Sequence, residues 1–331
     1  MATVPPPIVQ QTMDEVSLDA PVEYREYSGL TADGPIIPGL FQSAVPQGMA
    51  YYPDEELMFI SSYMWDGRAS VVSVLSMDDG ALMKNIWLEN PDGTPHEGHV
   101  GGLAISSRHL WIASGKGVYH APLQTVLDLP DDSTLRLSDF ISTAAKGSFA
   151  SSSDGILWVG EFTSRDGSYT VERSHHFETP SGWLNHGWMA GYVLDPDTDL
   201  IRSTARISGS IYPDYILSIP HEVQGAAFIE DIVVLSRSYG RTNDSRLSIF
   251  RNPLSESAPE SVPGPDGRNI PVWFLDGETQ LHELVIPPMS EGVVNHHGSV
   301  AVLFESASDK YRDTARFPED RIQILTLPDV R

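Results

Sequence analysis

Four side chains able to transfer or donate protons stand beside short apolar segments of this chain. Glu161, Arg237 and Glu305 each end an apolar run, and His99 precedes the sequence Val-Gly-Gly. A charge at the end of a buried strand is costly unless it meets a partner, a ligand or water. We therefore predict Arg237, Glu161, His99 and Glu305 as candidate catalytic residues, the glutamates as acids and the other two as hydrogen-bond donors. An ion pair between Arg237 and a glutamate is an equally open interpretation.

A second set of side chains could build the walls of a small-molecule pocket, which combines aromatic surfaces with a few polar groups. These residues lie where apolar runs begin or end, or in the long insertion near residues 162–185. The predicted substrate-binding residues are Gln47, Gln224, Tyr63, Trp65, Trp188, Tyr239, His186 and His296. Gln47 and Gln224 both precede a glycine, so a purely structural role in tying neighbouring elements together stays open for them.

Metal and cofactor chemistry has little support in the sequence. There is no cysteine, no His-Glu-x-x-His, no Gly-x-Ser-x-Gly and no phosphate-binding loop. His296 and His297 could join Glu305 in a metal site, but adjacent residues of a strand point to opposite faces. We expect no metal and no cofactor.

A five-fold repeat supplies the framework for these side chains. Each copy has a small, glycine-containing stretch, a short turn and an apolar β run, and the copies begin near residues 46, 98, 146, 223 and 291. Repeats of this kind indicate a β-propeller, in which each copy forms the inner strands of one blade. Because the inner strands line a central channel, the loops that enter them share one face with the loops that leave the second strands. We expect the candidate residues to meet there.

The predicted fold is thus an all-β, five-bladed propeller, with a sixth blade in 205–222 or 255–286 as the alternative. Outer strands are expected at 135–141, at 200–207 and within 272–286. A strand at 22–28 is expected to complete the last blade, since ring closure removes exposed sheet edges. We expect a flexible segment over residues 1–20 and one propeller domain over 21–331.

Composition narrows the choice of partners. The 331 residues carry a formal charge of −24, which disfavours nucleic acid and anionic lipid surfaces. No apolar run is long enough for membrane insertion, and nothing in the sequence specifies an oligomeric state. The first residues do not resemble a signal peptide, so both a secreted protein whose signal lies outside this sequence and a cytoplasmic protein stay open.

Several phrases of the chain resemble a family of bacterial and fungal, often secreted, β-propeller proteins. They lie at 45–51, 90–104, 223–228, 235–241 and 303–307, and the similarity extends over nearly all of the chain after residue 40. The fungal members are similar to the hetero-Diels-Alderases of tropolonic sesquiterpenoid pathways. This resemblance implies a cofactor-independent pericyclase of secondary metabolism that joins a tropolone quinone methide to a humulene-type polyene. It implies no particular site residue.

The candidate residues suit such chemistry, because a cycloaddition needs orientation and hydrogen-bond donors rather than a nucleophile. Glu161 or Glu305 could assist the loss of water that makes a quinone methide. Two alternatives stay open. The first is a secreted carbohydrate-binding or glycan-cleaving propeller that uses the carboxylates and tryptophans, and the second is a non-catalytic scaffold whose channel is filled by the 162–186 insertion.

Overall fold

The computed structural model describes residues 6–13 and 21–328, and its sheets form a five-bladed β-propeller. The inner strands of the five blades contact one another in a closed ring that follows chain order. The five-bladed prediction is confirmed. Neither of the stretches considered for a sixth blade forms one.

Each blade has four strands in antiparallel order, numbered here from the axis outwards. Blade 1 contains Ala44–Tyr52, Leu57–Met64, Val71–Ser76 and Leu82–Glu89, and blade 2 contains Gly102–Ile105, His109–Ser114, Gly117–Pro122 and Ile141–Ser142. Blade 3 contains Phe149–Ser153, Ile156–Gly160, Gly187–Val193 and Tyr215–Ile219. Blade 4 contains Val223–Ile229, Ile232–Arg237, Ser245–Arg251 and Gln280–Ile286, and blade 5 contains Ser290–His296, Ser299–Phe304, Arg321–Leu325 and Thr31–Ile36.

Three further strands extend the outer edges of two blades. Ser133–Arg136 pairs in parallel with the fourth strand of blade 1. Asn269–Phe274 pairs in parallel with the fourth strand of blade 3 and also with Glu260–Pro263. These strands cover sheet edges that would otherwise expose unpaired backbone groups. Ser133–Arg136 overlaps a segment predicted for blade 2 and Asn269–Phe274 one predicted for blade 4, but they pair with blades 1 and 3.

Two outer-strand predictions are corrected by this pairing. Of the segment 135–141, the beginning joins blade 1 and only Ile141–Ser142 joins blade 2. The segment 200–207 does not form the fourth strand of blade 3. Ile201 makes an isolated bridge with Leu194, and Arg206–Ile207 pairs with Ser210–Ile211 in a small hairpin. The fourth strand of blade 3 is Tyr215–Ile219 instead. A second small hairpin, Phe177–Glu178 with Leu184–Asn185, lies within the long insertion.

The N-terminal part of the chain closes the ring, but through a later segment than predicted. Residues 22–28 are helical, in the 3-10 helix Val22–Tyr24 and the α-helix Arg25–Leu30. The closing strand is Thr31–Ile36, which pairs antiparallel with Arg321–Leu325. Tyr24 and Tyr27 are both buried against blades 4 and 5. Their spacing of three residues suits one face of a helix and not one face of a strand.

Few other helical segments occur in the described residues. They are the α-helix Leu123–Asp128 and the 3-10 helices Pro53–Glu55, Arg173–His175 and Pro253–Ser255. No helix among residues 6–13 and 21–328 has the length and hydropathy to cross a bilayer.

Part of the segment predicted to be flexible, residues 6–13, packs on the propeller. Ile8 is buried beside Ala44, Met64 and Val71 of blade 1. Gln10 donates from Nε2 to the carbonyl oxygens of Ile36 and Gly80, both at 2.8 Å. The rest of the predicted flexible segment, residues 1–5 and 14–20, lies outside the described residues.

Glycines set how closely the inner strands approach. A Cβ atom added to Gly102 would lie 2.2 Å from the backbone nitrogen of Ala150, and one added to Gly48 would lie 2.5 Å from the Cα of Gly102. Gly225 and Gly292 make similar backbone approaches to their neighbours, at 2.9 Å. The repeated glycine is therefore the residue that lets adjacent blades touch backbone to backbone.

We predict that Gly102→Ala lowers the free energy of unfolding by about 3 kcal/mol or prevents folding, because backbone atoms must move to admit the methyl group. Gly29→Ala is the matched control. It lies in the helix Arg25–Leu30 with nothing within 4 Å of an added Cβ. We expect it to be neutral or stabilising by less than about 1 kcal/mol. Denaturant unfolding followed by circular dichroism measures both, and equal stabilities would contradict the packing described here.

Candidate functional site

A cavity of about 780 Å³ opens at the end of the channel where inner strands begin and second strands end. This is the face on which the repeat predicts that the candidate residues meet. Six of the twelve line the cavity: Gln47, Tyr63, His99, Gln224, Tyr239 and Glu305. Their roles stay predictions. A small cavity of about 100 Å³ lies at the opposite end of the channel.

Two carboxyl groups lie side by side in this cavity. Glu291, on the inner strand of blade 5, is 4% exposed, and Glu305 follows the second strand of the same blade. The two carboxyl groups are close enough to share a hydrogen bond when one of them is protonated. Gln47 donates from Nε2 to Glu305 Oε2 at 3.0 Å, and Gln224 donates from Nε2 to Glu291 Oε1 at 3.3 Å. The pair and its two amide partners thus connect blades 1, 4 and 5.

Burial controls the protonation of this acid pair, Glu291 and Glu305. Removal from water raises the pKa of Glu305 from 4.5 to about 7, although Gln47, Lys310 and Arg241 act in the opposite direction. The pKa of Glu291 is raised well above its usual range, first by burial and then by the charge of Glu305. Carboxyl groups this close titrate as a pair. At neutral pH the acid pair therefore holds at least one proton, which it can donate.

Tyr63 and His99 form a second polar wall. Their rings stack with centroids 4.8 Å apart, and the Tyr63 hydroxyl accepts a hydrogen bond from Lys310 Nζ at 2.6 Å. The Tyr63 hydroxyl also lies 3.1 Å from that of Tyr311. Burial raises the pKa of Tyr63 and lowers that of His99. Both groups are therefore neutral near pH 7, so this wall offers hydroxyl and imidazole groups with one adjacent cation.

The opposite wall is aromatic and comes from blades 3 and 4. Phe162 lies edge-on to Tyr169 with centroids 5.4 Å apart, and Tyr239 is about equally distant from both rings, at 6.0 and 6.1 Å. The Tyr239 hydroxyl donates to Asp166 at 3.1 Å, which holds the ring in place. The insertion after Phe162 therefore forms one side of the cavity without filling it.

Arg237 makes structural contacts and is not among the residues lining the cavity. It is 8% exposed. Its guanidinium group donates to the His221 carbonyl at 3.1 Å, to Ser248 Oγ at 3.3 Å and to Glu283 at 3.4 Å. These contacts tie the second, third and fourth strands of blade 4 to the loop before it.

Glu161 and Trp188 lie together inside blade 3 and do not line the cavity. The Glu161 carboxylate accepts hydrogen bonds from His175 Nδ1 at 2.9 Å and from the backbone nitrogens of Trp188 and Lys146 at 3.0 and 3.2 Å. The His175 ring stacks on Trp188 with centroids 3.7 Å apart. Glu161 thereby anchors the insertion to the blade, so it is the partner of His175 and not of Arg237.

The three remaining candidates lie elsewhere. Trp65 is 50% exposed and donates to Asp309 at 2.7 Å. His186 lies between His176 and His221 in a histidine cluster beside blade 4, and burial and nearby cations lower the pKa of His221 to about 4. His296 ends the inner strand of blade 5 at the far end of the channel. None of the three lines the large cavity.

Several cavity residues were missed, above all Glu291. Aligning the repeats on Gly48, Gly225 and Gly292 places Glu291 at the position of Gln47 and Gln224, so the repeat itself carried this signal. The others that bear on the chemistry are Lys146, Tyr169 and Arg241, together with Lys310, which donates to Tyr63 beside the cavity, and Tyr311. The last two come from the irregular segment between the second and third strands of blade 5, where no periodic pattern marks them.

Comparison with known proteins gives no family. Neither a protein-family model nor a curated sequence matches the chain. Among solved structures it is similar to an aldose sugar dehydrogenase from Streptomyces coelicolor, with 14% identity, 89% of this chain and 96% of that chain covered, and a TM-score of 0.45. It is also similar to a glutaminyl cyclase from Myxococcus xanthus, with 9% identity, 89% of this chain and 93% of that chain covered, and a TM-score of 0.40. A gluconolactonase from Xanthomonas campestris has 11% identity, with 99% of both chains covered and a TM-score of 0.38. All three are enzymes by name, but with TM-scores below 0.5 they carry no inference about the chemistry here.

We predict that Arg237→Ala lowers the free energy of unfolding by roughly 2–4 kcal/mol, because Glu283 and the His221 carbonyl lose a buried partner. Arg241→Ala is the matched control, since Arg241 is exposed at the cavity rim and should cost less than about 1 kcal/mol. Thermal and denaturant unfolding measure both changes. An Arg237→Ala protein with unchanged stability would show that Arg237 does not tie the blade together.

The acid pair also predicts how stability depends on pH. The folded protein keeps Glu305 protonated up to about pH 7, whereas the unfolded chain ionises it near 4.5. Unfolding therefore releases protons above pH 4.5, so this contribution to stability is complete at low pH and is lost as pH rises through 7. Replacing both Glu291 and Glu305 by Gln should flatten the decline in Tm between about pH 5 and about pH 8. An unchanged slope would show that the pair is ionised in the folded protein.

Proposed function

We propose that this chain is a cofactor-independent pericyclase that joins a tropolone-type quinone methide to a humulene-type polyene by a hetero-Diels-Alder cycloaddition. The observation that carries the proposal is a pair of adjacent carboxyl groups, with pKa values raised by burial, inside a large cavity with an aromatic wall. Such a site provides neutral proton donors and apolar surfaces, which are the requirements of this reaction. The sequence resemblance to fungal hetero-Diels-Alderases supplies the substrate class.

The size of the cavity supports a reaction between two molecules. At about 780 Å³ it lies in the upper part of the range for small-molecule sites, so a tropolone-sized ring and a medium-sized polyene fit together. The rings of Phe162, Tyr169 and Tyr239 would hold the polyene, and the acid pair would face the oxygen-bearing partner. Fixing two reactants in one orientation lowers a barrier by up to roughly 7–11 kcal/mol.

The acid pair would first generate the quinone methide. One carboxylic acid of the pair donates its proton to the leaving hydroxyl of a hydroxymethyl precursor, the C–O bond breaks and water departs. The ionised member of the pair accepts the proton of the ring hydroxyl, so the pair returns to its starting state and the net change is loss of one water. Proton transfer of this kind contributes about 10²–10⁴-fold to a rate.

Hydrogen bonding would then assist the cycloaddition. A new C–C bond and a new C–O bond form between the heterodiene and one alkene of the polyene, and no group is transferred to the protein. A donor on the heterodiene oxygen lowers the energy of its acceptor orbital. Glu291, Glu305, the Tyr63 hydroxyl and His99 are within the cavity to supply that donor.

Two observations weigh against glycan cleavage and against a scaffold with a filled channel. Glycosidases keep their carboxyl groups about 5–9.5 Å apart to admit a sugar carbon and water, whereas those of Glu291 and Glu305 are close enough to share a hydrogen bond. A scaffold with a filled channel is disfavoured because the insertion leaves the cavity open.

We predict that Glu305→Gln and Glu291→Gln each lower the rate of product formation by about 100-fold, because the amide cannot donate a proton to a leaving hydroxyl. The assay mixes the protein with a tropolonic quinone-methide precursor and humulene and follows yield and stereochemistry. Glu319→Gln is the matched control, since Glu319 also has a pKa raised by burial, to about 8, but does not line the cavity. Products identical to those of the protein-free mixture would refute the proposed function.

A further inference from the structure

Two histidines and a glutamate meet on the face opposite the large cavity. His296 ends the inner strand of blade 5, His297 lies in the following turn, and Glu56 precedes the second strand of blade 1. Their ligand atoms all lie within 4.8 Å of one another. His297 Nε2 is 2.8 Å from Glu56 Oε1, and His296 Nε2 is 4.0 Å from Glu56 Oε2.

The backbone explains why adjacent histidines converge here. Adjacent residues of a regular strand point to opposite faces, which made the pair a weak metal signal. His297, however, has a left-handed backbone with φ of +50°, so the alternation ends at His296. Glu56, in the turn before the second strand of blade 1, has the same left-handed backbone, with φ of +51°. The partner carboxylate is Glu56 rather than Glu305, which lies at the other end of the channel.

Tyr51 holds both imidazoles in place. Its ring lies edge-on to His296 and to His297, with centroids 4.8 and 5.6 Å apart. Its hydroxyl lies 2.8 Å from His297 Nε2. Ordering of the ligands by neighbouring groups is typical of metal sites, because it reduces the entropy lost on binding.

One nitrogen in this cluster has no partner. His296 Nε2 is buried from solvent and makes no hydrogen bond among the described residues. A buried polar atom without a partner requires an explanation, and an ion bound beside it is one. The nitrogen faces the carboxylate of Glu56 across a gap of 4.0 Å, too long for a hydrogen bond.

We propose that His296, His297 and Glu56 bind a divalent transition-metal ion, with Zn²⁺ as the ion of best fit. Two imidazoles and a carboxylate are a common zinc ligand set, and the fourth position is left for water or the Tyr51 hydroxyl. Metal–ligand distances of about 2.0–2.2 Å require the three groups to draw together slightly. His297 and Glu56 both lie in turns at the surface, where a small side-chain rotation meets no core packing.

The position of the site gives the ion a structural role. Blades 5 and 1 are the last and the first in the ring. The site links the turn between the inner and second strands of blade 5 to the corresponding turn of blade 1. An ion that binds only the folded ring stabilises it by mass action. The large cavity lies at the opposite end of the channel, so this role is independent of the proposed cycloaddition.

The test is titration of the full-length, untagged, chelator-treated protein with Zn²⁺ in competition with a chromogenic chelator. We expect one ion per chain, an increase in Tm on binding, and at least a tenfold loss of affinity in His296→Ala, His297→Ala and Glu56→Gln. His297 is exposed in a turn, so its variant should fold normally, which circular dichroism checks. His282→Ala is the matched control, because His282 is also paired with a glutamate, Glu26, at 3.0 Å but belongs to no cluster of three such ligands among residues 6–13 and 21–328.

Equal affinity in the wild type and in His297→Ala would overturn the proposal and identify adventitious surface binding only. Absence of zinc uptake by the wild type would overturn it as well. Cobalt substitution adds a geometric check, since a tetrahedral site gives strong visible absorption that these variants should abolish. None of these measurements depends on cycloaddition activity, so failure of either proposal leaves the other standing.

Discussion

Direct backbone contact between neighbouring inner strands is the constraint on which the rest of this structure depends. Gly48 and Gly102 allow an approach that any side chain would block, and Gly225 and Gly292 do the same on the other side of the ring. With the strands this close, the residues just before these glycines converge at one end of the channel. The packing that closes the ring therefore also brings Gln47, Gln224 and Glu291 to the same cavity.

The inner and second strands could be predicted because their signal is local. A glycine, a short turn and an apolar run specify them wherever they occur, and all five pairs lie where the repeat places them. Outer strands depend on which sheet edge is nearest in the folded chain. Ser133–Arg136 and Asn269–Phe274 both pair with a blade other than the one expected, and no feature of their own sequence identifies that partner.

The candidate site was predictable to the extent that the propeller geometry decides it. Residues at the start of inner strands, such as Gln47 and His99, line the cavity as the topology requires. Glu161 and Arg237 occupy comparable positions at the ends of second strands, but their partners are distant in sequence. The partner of Glu161 is His175, which lies in the insertion, and the partner of Arg237 is Glu283, which lies in an outer strand. The positions of insertions and outer strands are the ones that local sequence patterns predict least well.

Electrostatics connect the cavity to the whole molecule. A protein with a formal charge of −24 disfavours further negative charge, so its overall field acts in the same direction as burial on the acid pair. Lys310 and Arg241 oppose both effects, yet the pKa of Glu305 still reaches about 7. Because desolvation outweighs these cations, the acid pair presents a hydrogen-bond donor rather than two negative charges. The pair therefore keeps a transferable proton available near neutral pH, beside the aromatic wall on which an apolar reactant can pack.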